Sequence, residues 1–156
     1  MTMAAYYLDT SALVKRYARE RGTAWVTTLT TPSLAHDLYT VRLAGPETIA
    51  ALFRKVRTGE LPRATALRLA QDFKEDWKWQ YQVLEINAKL SDRAMTLAEK
   101  HGLRGYDAVH LAAALLLHET RRAAHLLDMI FLAADDDLLQ AAKTEGLSTD
   151  NPDHYA

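Results

Sequence analysis

Cysteine is absent from all 156 residues of the chain. This absence excludes a disulfide framework and any metal site built on thiolates. It also fits a reducing compartment, so the cytoplasm is the expected location. Residues 1–8 lack a basic leader and are too short for an apolar signal core, and no signal peptide is predicted.

Long hydrophobic runs and an excess of one charge are lacking as well. The longest apolar run, residues 111–117, is too short to cross a bilayer and predicts a buried helix instead. Lysine and arginine number 19 and acidic residues 20, which gives a net charge of -1. Proteins that bind nucleic acid through bulk charge are usually basic. A nucleic-acid function would therefore depend on local basic groups or on metal ions.

What is present is the balance of an ordinary globular protein, with 49% hydrophobic and 25% charged residues. The length predicts one domain over residues 1–156. Short apolar segments that are typical of buried strands occur at residues 4–8, 38–43, 82–86 and 129–133. Helical patterns lie between them, from Asp9 to Gly22, from Gly45, and over residues 63–81, 88–100, 108–118 and 135–143. This alternation predicts an α/β fold, in which helices cover both faces of a mostly parallel sheet as a three-layer α/β/α sandwich.

Four acidic residues stand near the points where strands give way to helices, namely Asp9, Glu47, Asp107 and Asp135. In parallel sheets, ligands bind beyond the carboxyl ends of the strands. Carboxylate oxygens are the ligands that hard divalent cations prefer. If the four groups converge, they predict a site for Mg²⁺ or Mn²⁺ of the kind that hydrolyses phosphodiester bonds.

Each acid also has a purely structural explanation. A carboxylate at Asp9, Asp107 or Asp135 can cap the helix that follows it, and Glu47 lies in a first turn, where the helix dipole favours negative charge. Convergence would instead make the acids repel and raise one another's pKa unless a cation neutralises them. The absence of cysteine argues against zinc. Asp135 directly follows a strand, and it is preferred as the fourth acid over Asp136 and Asp137, which remain alternatives.

Polar neighbours of these acids have two interpretations each. Thr10 and Ser11 either cap the helix or bond to an acid or to a metal-bound water. His110 follows Asp107 by one helical turn and is either a core residue or part of the site. Arg54, Lys55 and Arg57 form either a solvated helix face or a contact for an RNA backbone.

Several segments together resemble the PIN-domain ribonucleases, and the VapC type in particular. They are LDTSALVK at residues 8–15, the Glu that opens the second helix, LRGYDAVHLA at residues 103–112 and LAADDDLLQAA at residues 132–142. The resemblance covers residues 6–151. One departure is the pair Gly45-Pro46 before Glu47, where relatives have small and aliphatic residues, and this pair puts the orientation of Glu47 in question.

The resemblance implies an α/β/α sandwich and an endoribonuclease that depends on Mg²⁺ or Mn²⁺ and hydrolyses RNA with a metal-activated water. It implies that Asp9, Glu47, Asp107 and Asp135 hold the metal and act in catalysis, with Thr10 and Ser11 as positioning hydroxyls. It also implies a homodimer, the toxin of a pair inhibited by a cognate antitoxin protein. Two alternatives stay open: a catalytically inactive scaffold that binds RNA or antitoxin, and a receiver-like phospho-signalling domain.

Overall fold

A computed structural model describes residues 3–155 of the chain. Within this range the strands are β1 (Ala5–Leu8), β2 (Asp37–Val41), β3 (Tyr81–Leu84), β4 (Ile130–Leu132) and β5 (Ser148–Asp150). The α-helices are α1 (Thr10–Leu13), α2 (Thr23–Leu29), α3 (Ala44–Arg57), α4 (Arg63–Trp79), α5 (Ala88–His101), α6 (Gly105–Ala123) and α7 (Asp136–Thr144). Short 3₁₀ turns cover Val14–Arg16, Pro32–Leu34 and Pro152–His154.

The strands form one sheet in the order β3-β2-β1-β4-β5, and every neighbouring pair is parallel. Tyr6 of β1 is paired with Leu38 on one side and with Ile130 on the other. The sheet therefore grows from β1 to β3 in one direction and through β4 to β5 in the other. Such a reversal opens a crevice beyond the carboxyl ends of the two strands that flank it, here β1 and β4.

Two hydrophobic cores lie on opposite faces of this sheet. One packs α5, α6 and α7 against side chains such as Tyr7 and Phe131, and the other packs α1 to α4 against Leu8, Leu38 and Leu132. Neighbouring residues of β1 thus point to opposite faces, as the pleat of a strand requires. The arrangement confirms the predicted three-layer α/β/α sandwich.

The first predicted helix differs most from the structure. Asp9 does start a helix, but α1 ends at Leu13 and a 3₁₀ turn follows. Gly22 was expected to end that helix, and instead it begins α2 with a positive φ of 86°. The helical pattern from Asp9 to Gly22 predicts Lys15 on the outer side. The change of helix type instead buries Lys15 at 4% exposure, paired with Asp153 at 2.8 Å.

The helix start around Glu47 is confirmed. Gly45 and Pro46 belong to the first turn of α3, which begins one residue earlier at Ala44, and proline's missing N–H costs nothing there. A Cβ on Gly45 would stand 3.2 Å from the ring of Trp77, so glycine lets α3 and α4 approach closely. In the helical pattern over residues 63–81, the spacing of Leu67, Ala70, Phe73 and Trp77 predicts a core-facing stripe. Leu67 is 52% exposed, so the prediction is wrong for this residue.

The C-terminal segment is more ordered than its polar composition suggests. Ser148–Asp150 adds the edge strand β5, which the sequence did not predict because three polar residues lack a strand pattern. Beyond it, Tyr155 stacks on Trp25 with ring centroids 4.2 Å apart. Within residues 3–155, no helix combines the length and the apolarity needed to cross a membrane.

Gly22 ties this segment to α2, and its replacement tests that contact. A Cβ at Gly22 would stand 2.3 Å from the carbonyl oxygen of Pro152, and the residue has a positive φ. We expect Gly22→Ala to lower the free energy of unfolding by about 3 kcal/mol, from backbone strain and the clash together. Gly59→Ala is the control, because Gly59 has a φ of 81° with nothing near its Cβ position, and it should cost about 1 kcal/mol. If urea denaturation gave the same loss of unfolding free energy for Gly22→Ala and Gly59→Ala, the contact with Pro152 would be unimportant.

Candidate functional site

A cavity of about 760 Å³ opens at the carboxyl edge of the sheet. Its lining includes the four acids singled out from the sequence, called here the site acids: Asp9, Glu47, Asp107 and Asp135. They come from four separate stretches of the chain. The fold therefore brings the four acids to one cavity, which is the first condition of the metal-site interpretation.

Each site acid reaches the cavity from the end of a strand or the start of a helix. Asp9 follows β1 directly, and its backbone N–H donates to the carbonyl of Leu132 at 3.1 Å, which continues the pairing with β4. Asp135 is the N-cap of α7. Glu47 and Asp107 lie in the first turns of α3 and α6. Helix N-termini carry partial positive charge, so their orientation toward this edge favours carboxylates there.

Asp9 is the most buried of the four, at 4% exposure. Its Oδ1 accepts hydrogen bonds from the Ser11 hydroxyl at 2.6 Å and from the backbone N–H of Ala12 at 3.1 Å. Burial nevertheless raises the pKa of Asp9 to about 6, although His110 and these hydrogen bonds lower it. An anion at this position lacks a full counter-charge from the protein.

Glu47 points into the cavity, so Gly45-Pro46 does not turn it away. Its Oε1 accepts a hydrogen bond from the Thr10 hydroxyl at 2.7 Å and lies 2.9 Å from Nε2 of His110. His110 is buried at 1% exposure, and the Tyr7 hydroxyl lies 2.9 Å from its Nδ1. Burial works to raise the pKa of Glu47, but the bonds from His110 and Thr10 lower it overall. His110 is thus both a core residue and a partner of a site acid.

Asp107 and Asp135 share one cation, the guanidinium of Arg104. Its Nε donates to Oδ2 of Asp107 at 3.1 Å, and an Nη donates to Oδ2 of Asp135 at 3.2 Å. Burial raises the pKa of Asp107, and the charge of Asp135 adds to this, whereas Arg104 lowers it. Arg104 belongs to the LRGYDAVHLA segment, but no role was predicted for it. Its spacing of three residues from Asp107 was the available signal.

The capping explanations are partly confirmed. Asp9 and Asp135 accept the backbone N–H of Ala12 and Leu138, so both cap helices while lining the cavity. Asp107 does not cap, because α6 begins two residues earlier, and that interpretation was wrong. The capping interpretation is also wrong for Thr10 and Ser11, whose hydroxyls bond to Glu47 and Asp9.

Asp135 is distinguished from its two acidic neighbours by position. Asp136 accepts a hydrogen bond from the side chain of Asn151 at 3.3 Å, and Asp137 is exposed. Only Asp135 of the three lines the cavity within residues 3–155. This agrees with the preference derived from the sequence.

The donor chemistry of the site fits Mg²⁺ or Mn²⁺. All four site acids offer oxygen, the raised pKa values of Asp9 and Asp107 mark carboxyls short of positive charge, and Arg104 stands in for a cation between two of them. The spacing is wider than a filled site requires. In the part of the chain that the structure describes, no three acidic or histidine side chains stand close enough to hold an ion. Metal ligation would need side-chain rotations toward a common point.

Basic residues line the outer part of the same cavity. Arg54 and Lys55 of α3 are among them, and the positive charge of Arg54 contributes to the lowered pKa of Glu47. Nζ of Lys55 forms an ion pair with Oε2 of Glu60 at 3.2 Å, whereas the side chain of Arg54 is exposed. The ring of Tyr106, 42% exposed, also lines the cavity and was not singled out from the sequence.

The buried anion at Asp9 predicts a pH-dependent stability. Because its pKa is about 6 in the folded protein and about 4 in an unfolded chain, ionisation of Asp9 costs stability above pH 6, and this cost vanishes below pH 4. With EDTA present, Asp9→Asn should therefore raise the free energy of unfolding at pH 8 by on the order of 2 kcal/mol and change it little at pH 4. Urea titrations at both pH values, with Asp137→Asn as control, measure the difference. The same effect at both pH values would contradict the charge explanation.

Comparison with known proteins identifies the same family from a family model and from individual relatives. The family model described as PIN domain matches residues 6–144. Ribonuclease VapC45 and Ribonuclease VapC49, from two strains of Mycobacterium tuberculosis, are each 36% identical over 113 residues, which is 72% of this chain and 76% of theirs. Their similarity extends to the sequence level, whereas the solved structures below share mainly the fold.

Two solved structures share the fold. PAE2754 from Pyrobaculum aerophilum has a TM-score of 0.62 and 24% identity, over 94% of this chain and 89% of its own. FitAcB from Neisseria gonorrhoeae has a TM-score of 0.55 and 16% identity, over 96% and 99%. The extent of the family match removes the receiver-like alternative. The chain belongs to the PIN domain family and is of the VapC type.

Proposed function

We propose that the chain is an endoribonuclease that requires Mg²⁺ or Mn²⁺ and acts as the toxin of a toxin–antitoxin pair. The observation that carries the proposal is the convergence of the four site acids on one open cavity. The relatives in Mycobacterium tuberculosis are named ribonucleases, which supports RNA as the substrate. A cognate antitoxin is the expected partner by the same relationship, and the homodimer remains a prediction.

In this proposal the site acids hold the ion through carboxylate oxygens. A bound Mg²⁺ or Mn²⁺ supplies a water of lowered pKa and neutralises charge on the phosphate. Ser11 and Thr10 orient the carboxylates of Asp9 and Glu47 through hydrogen bonds of 2.6 and 2.7 Å. His110 fixes Glu47 from the buried side. The products would be a 5′-phosphate and a 3′-hydroxyl, with no covalent intermediate.

The basic residues at the outer part of the cavity would contact the RNA backbone. Net charge is -1, so bulk attraction to RNA is weak and local cations must provide it. Arg54 is exposed and near Glu47, and a phosphate at the site acids would lie within its reach. Arg57 lies on the same helix but does not line the cavity.

Asp107→Asn tests the metal-dependent reaction. Asp107 is 7% exposed and lines the cavity, so the amide removes one ligand charge while keeping its size. We expect RNA cleavage to fall by about a hundredfold or more, since even outer-sphere partners of metal ligands are worth ten- to a hundredfold. EDTA should silence the wild-type protein, and excess Mn²⁺ should restore it.

Asp137→Asn serves as the matched control for this experiment. Asp137 is exposed and does not line the cavity, so the Asp137→Asn protein should cleave RNA at the wild-type rate. Cleavage of RNA by the Asp107→Asn protein at the wild-type rate would reject the assignment. Absence of cleavage by the wild type across tRNA and rRNA fragments would favour the inactive scaffold instead.

Arg54→Ala tests the RNA contact. In an Asp107→Asn background that does not cleave, the logarithm of the RNA dissociation constant should depend on the logarithm of salt concentration. Loss of one phosphate contact reduces that slope by about 0.7 for a single strand. We expect this reduction for Arg54→Ala and no change for Arg57→Ala, measured by fluorescence anisotropy. Equal effects of the two variants would show that only bulk charge matters.

A further inference from the structure

Arg104 joins two of the site acids that come from distant parts of the chain. It is the N-cap residue of α6, and its side chain reaches Asp107 within the same helix and Asp135 beyond β4. Both contacts go to Oδ2 atoms, at 3.1 and 3.2 Å. The guanidinium therefore occupies the space between two carboxylates that a divalent cation would bridge.

Three of the four carboxylate oxygens of Asp107 and Asp135 already accept a hydrogen bond. Oδ1 of Asp135 accepts the backbone N–H of Leu138 at 3.1 Å, and its Oδ2 accepts Arg104. An ion held by both Asp107 and Asp135 would meet the guanidinium that already binds one oxygen of each. Two cations close to the same pair of carboxylates repel one another. The guanidinium and a divalent ion would thus compete for the negative charge of these acids.

Arg104 is also the group at the site that can leave most easily. Its side chain is 63% exposed, and exposed ion pairs are weak. The other donors to the site acids are buried or half-buried, among them Ser11, Thr10 and His110. Arg104 also lies over the ring of Tyr106, with Cζ 4.8 Å from the ring centroid, in the same conformation that contacts the acids.

We propose that Arg104 is an internal counter-ion that competes with the divalent metal for Asp107 and Asp135. In the metal-free protein it offsets the repulsion between these acids, and it must move away before the metal can bind there. Arg104 therefore weakens metal binding and raises the metal concentration at which the site fills. This inference rests on the proposed function.

Manganese titration of Arg104→Gln tests the competition without measuring cleavage. Glutamine keeps a polar side chain but removes the charge. We expect the variant to bind Mn²⁺ about three- to tenfold more tightly than the wild type, because the two ion pairs that the exposed Arg104 makes no longer oppose binding. Free Mn²⁺ is counted by electron paramagnetic resonance. Arg57→Gln is the control: it makes the same change of net charge away from the cavity and should leave the affinity unchanged.

A second measurement follows Arg104 itself. The Nε–H resonance of Arg104, assigned by its absence in Arg104→Gln, should shift as Mg²⁺ is added and reach a new position at saturation. An unchanged resonance at saturating Mg²⁺ overturns the proposal, since the guanidinium would then still hold the acids. Equal or weaker Mn²⁺ binding by Arg104→Gln overturns it as well, because Arg104 would then organise the site for the metal.

These outcomes separate the inference from the function beneath it. If the wild-type protein binds Mn²⁺ and cleaves RNA but Arg104→Gln gains no affinity, only the role of Arg104 fails. If no variant binds Mn²⁺ and EDTA leaves cleavage unchanged, the metal-dependent function fails, and the competition fails with it. Thermal melting of Arg104→Gln in EDTA checks that the variant is folded.

Discussion

Four carboxylates share one edge of the sheet, and their mutual repulsion must be offset by groups of the same chain. The strand order reverses between the neighbouring strands β1 and β4, and this reversal creates the edge. Asp9 follows β1 and Asp135 follows β4, so the two acids lie at adjacent strand ends. Helices α3 and α6 then add Glu47 and Asp107 from their first turns. The fold thus concentrates negative charge at an edge where the N-termini of α1, α3, α6 and α7 also concentrate partial positive charge.

The compensation differs between the two sides of the site. On the buried side the compensation comes from hydrogen bonds, with Ser11 bonded to Asp9, and Thr10 and His110 bonded to Glu47. These donors hold the carboxylates in place but leave Asp9 with a raised pKa, so the charge is oriented rather than cancelled. On the exposed side the compensation is a full charge from Arg104.

The sequence was informative where local pattern determines structure and less so where tertiary contacts do. Four of the strands and the acids near their ends followed from apolar segments bounded by helix starts. The edge strand β5 did not, since its pairing with β4 supplies what its polar residues lack. The position of Asp107 could not be derived from spacing, because only the packing of α6 brings it to the cavity. Lys15 was misplaced since the helix after Asp9 breaks after one turn.

The buried side and the exposed side of the site differ in how easily their donors can be displaced. Displacing Thr10, Ser11 or His110 would leave polar groups unsatisfied in buried surroundings, which is costly. Displacing Arg104 frees a guanidinium that is already exposed and can be solvated at once, but it also leaves the buried carboxylate of Asp107 without its charge partner. A cation that came from solvent would have to supply that charge in place of Arg104, while the opposite side would keep Asp9 and Glu47 oriented. Selective access of this kind requires only one exposed arginine three residues before a site acid.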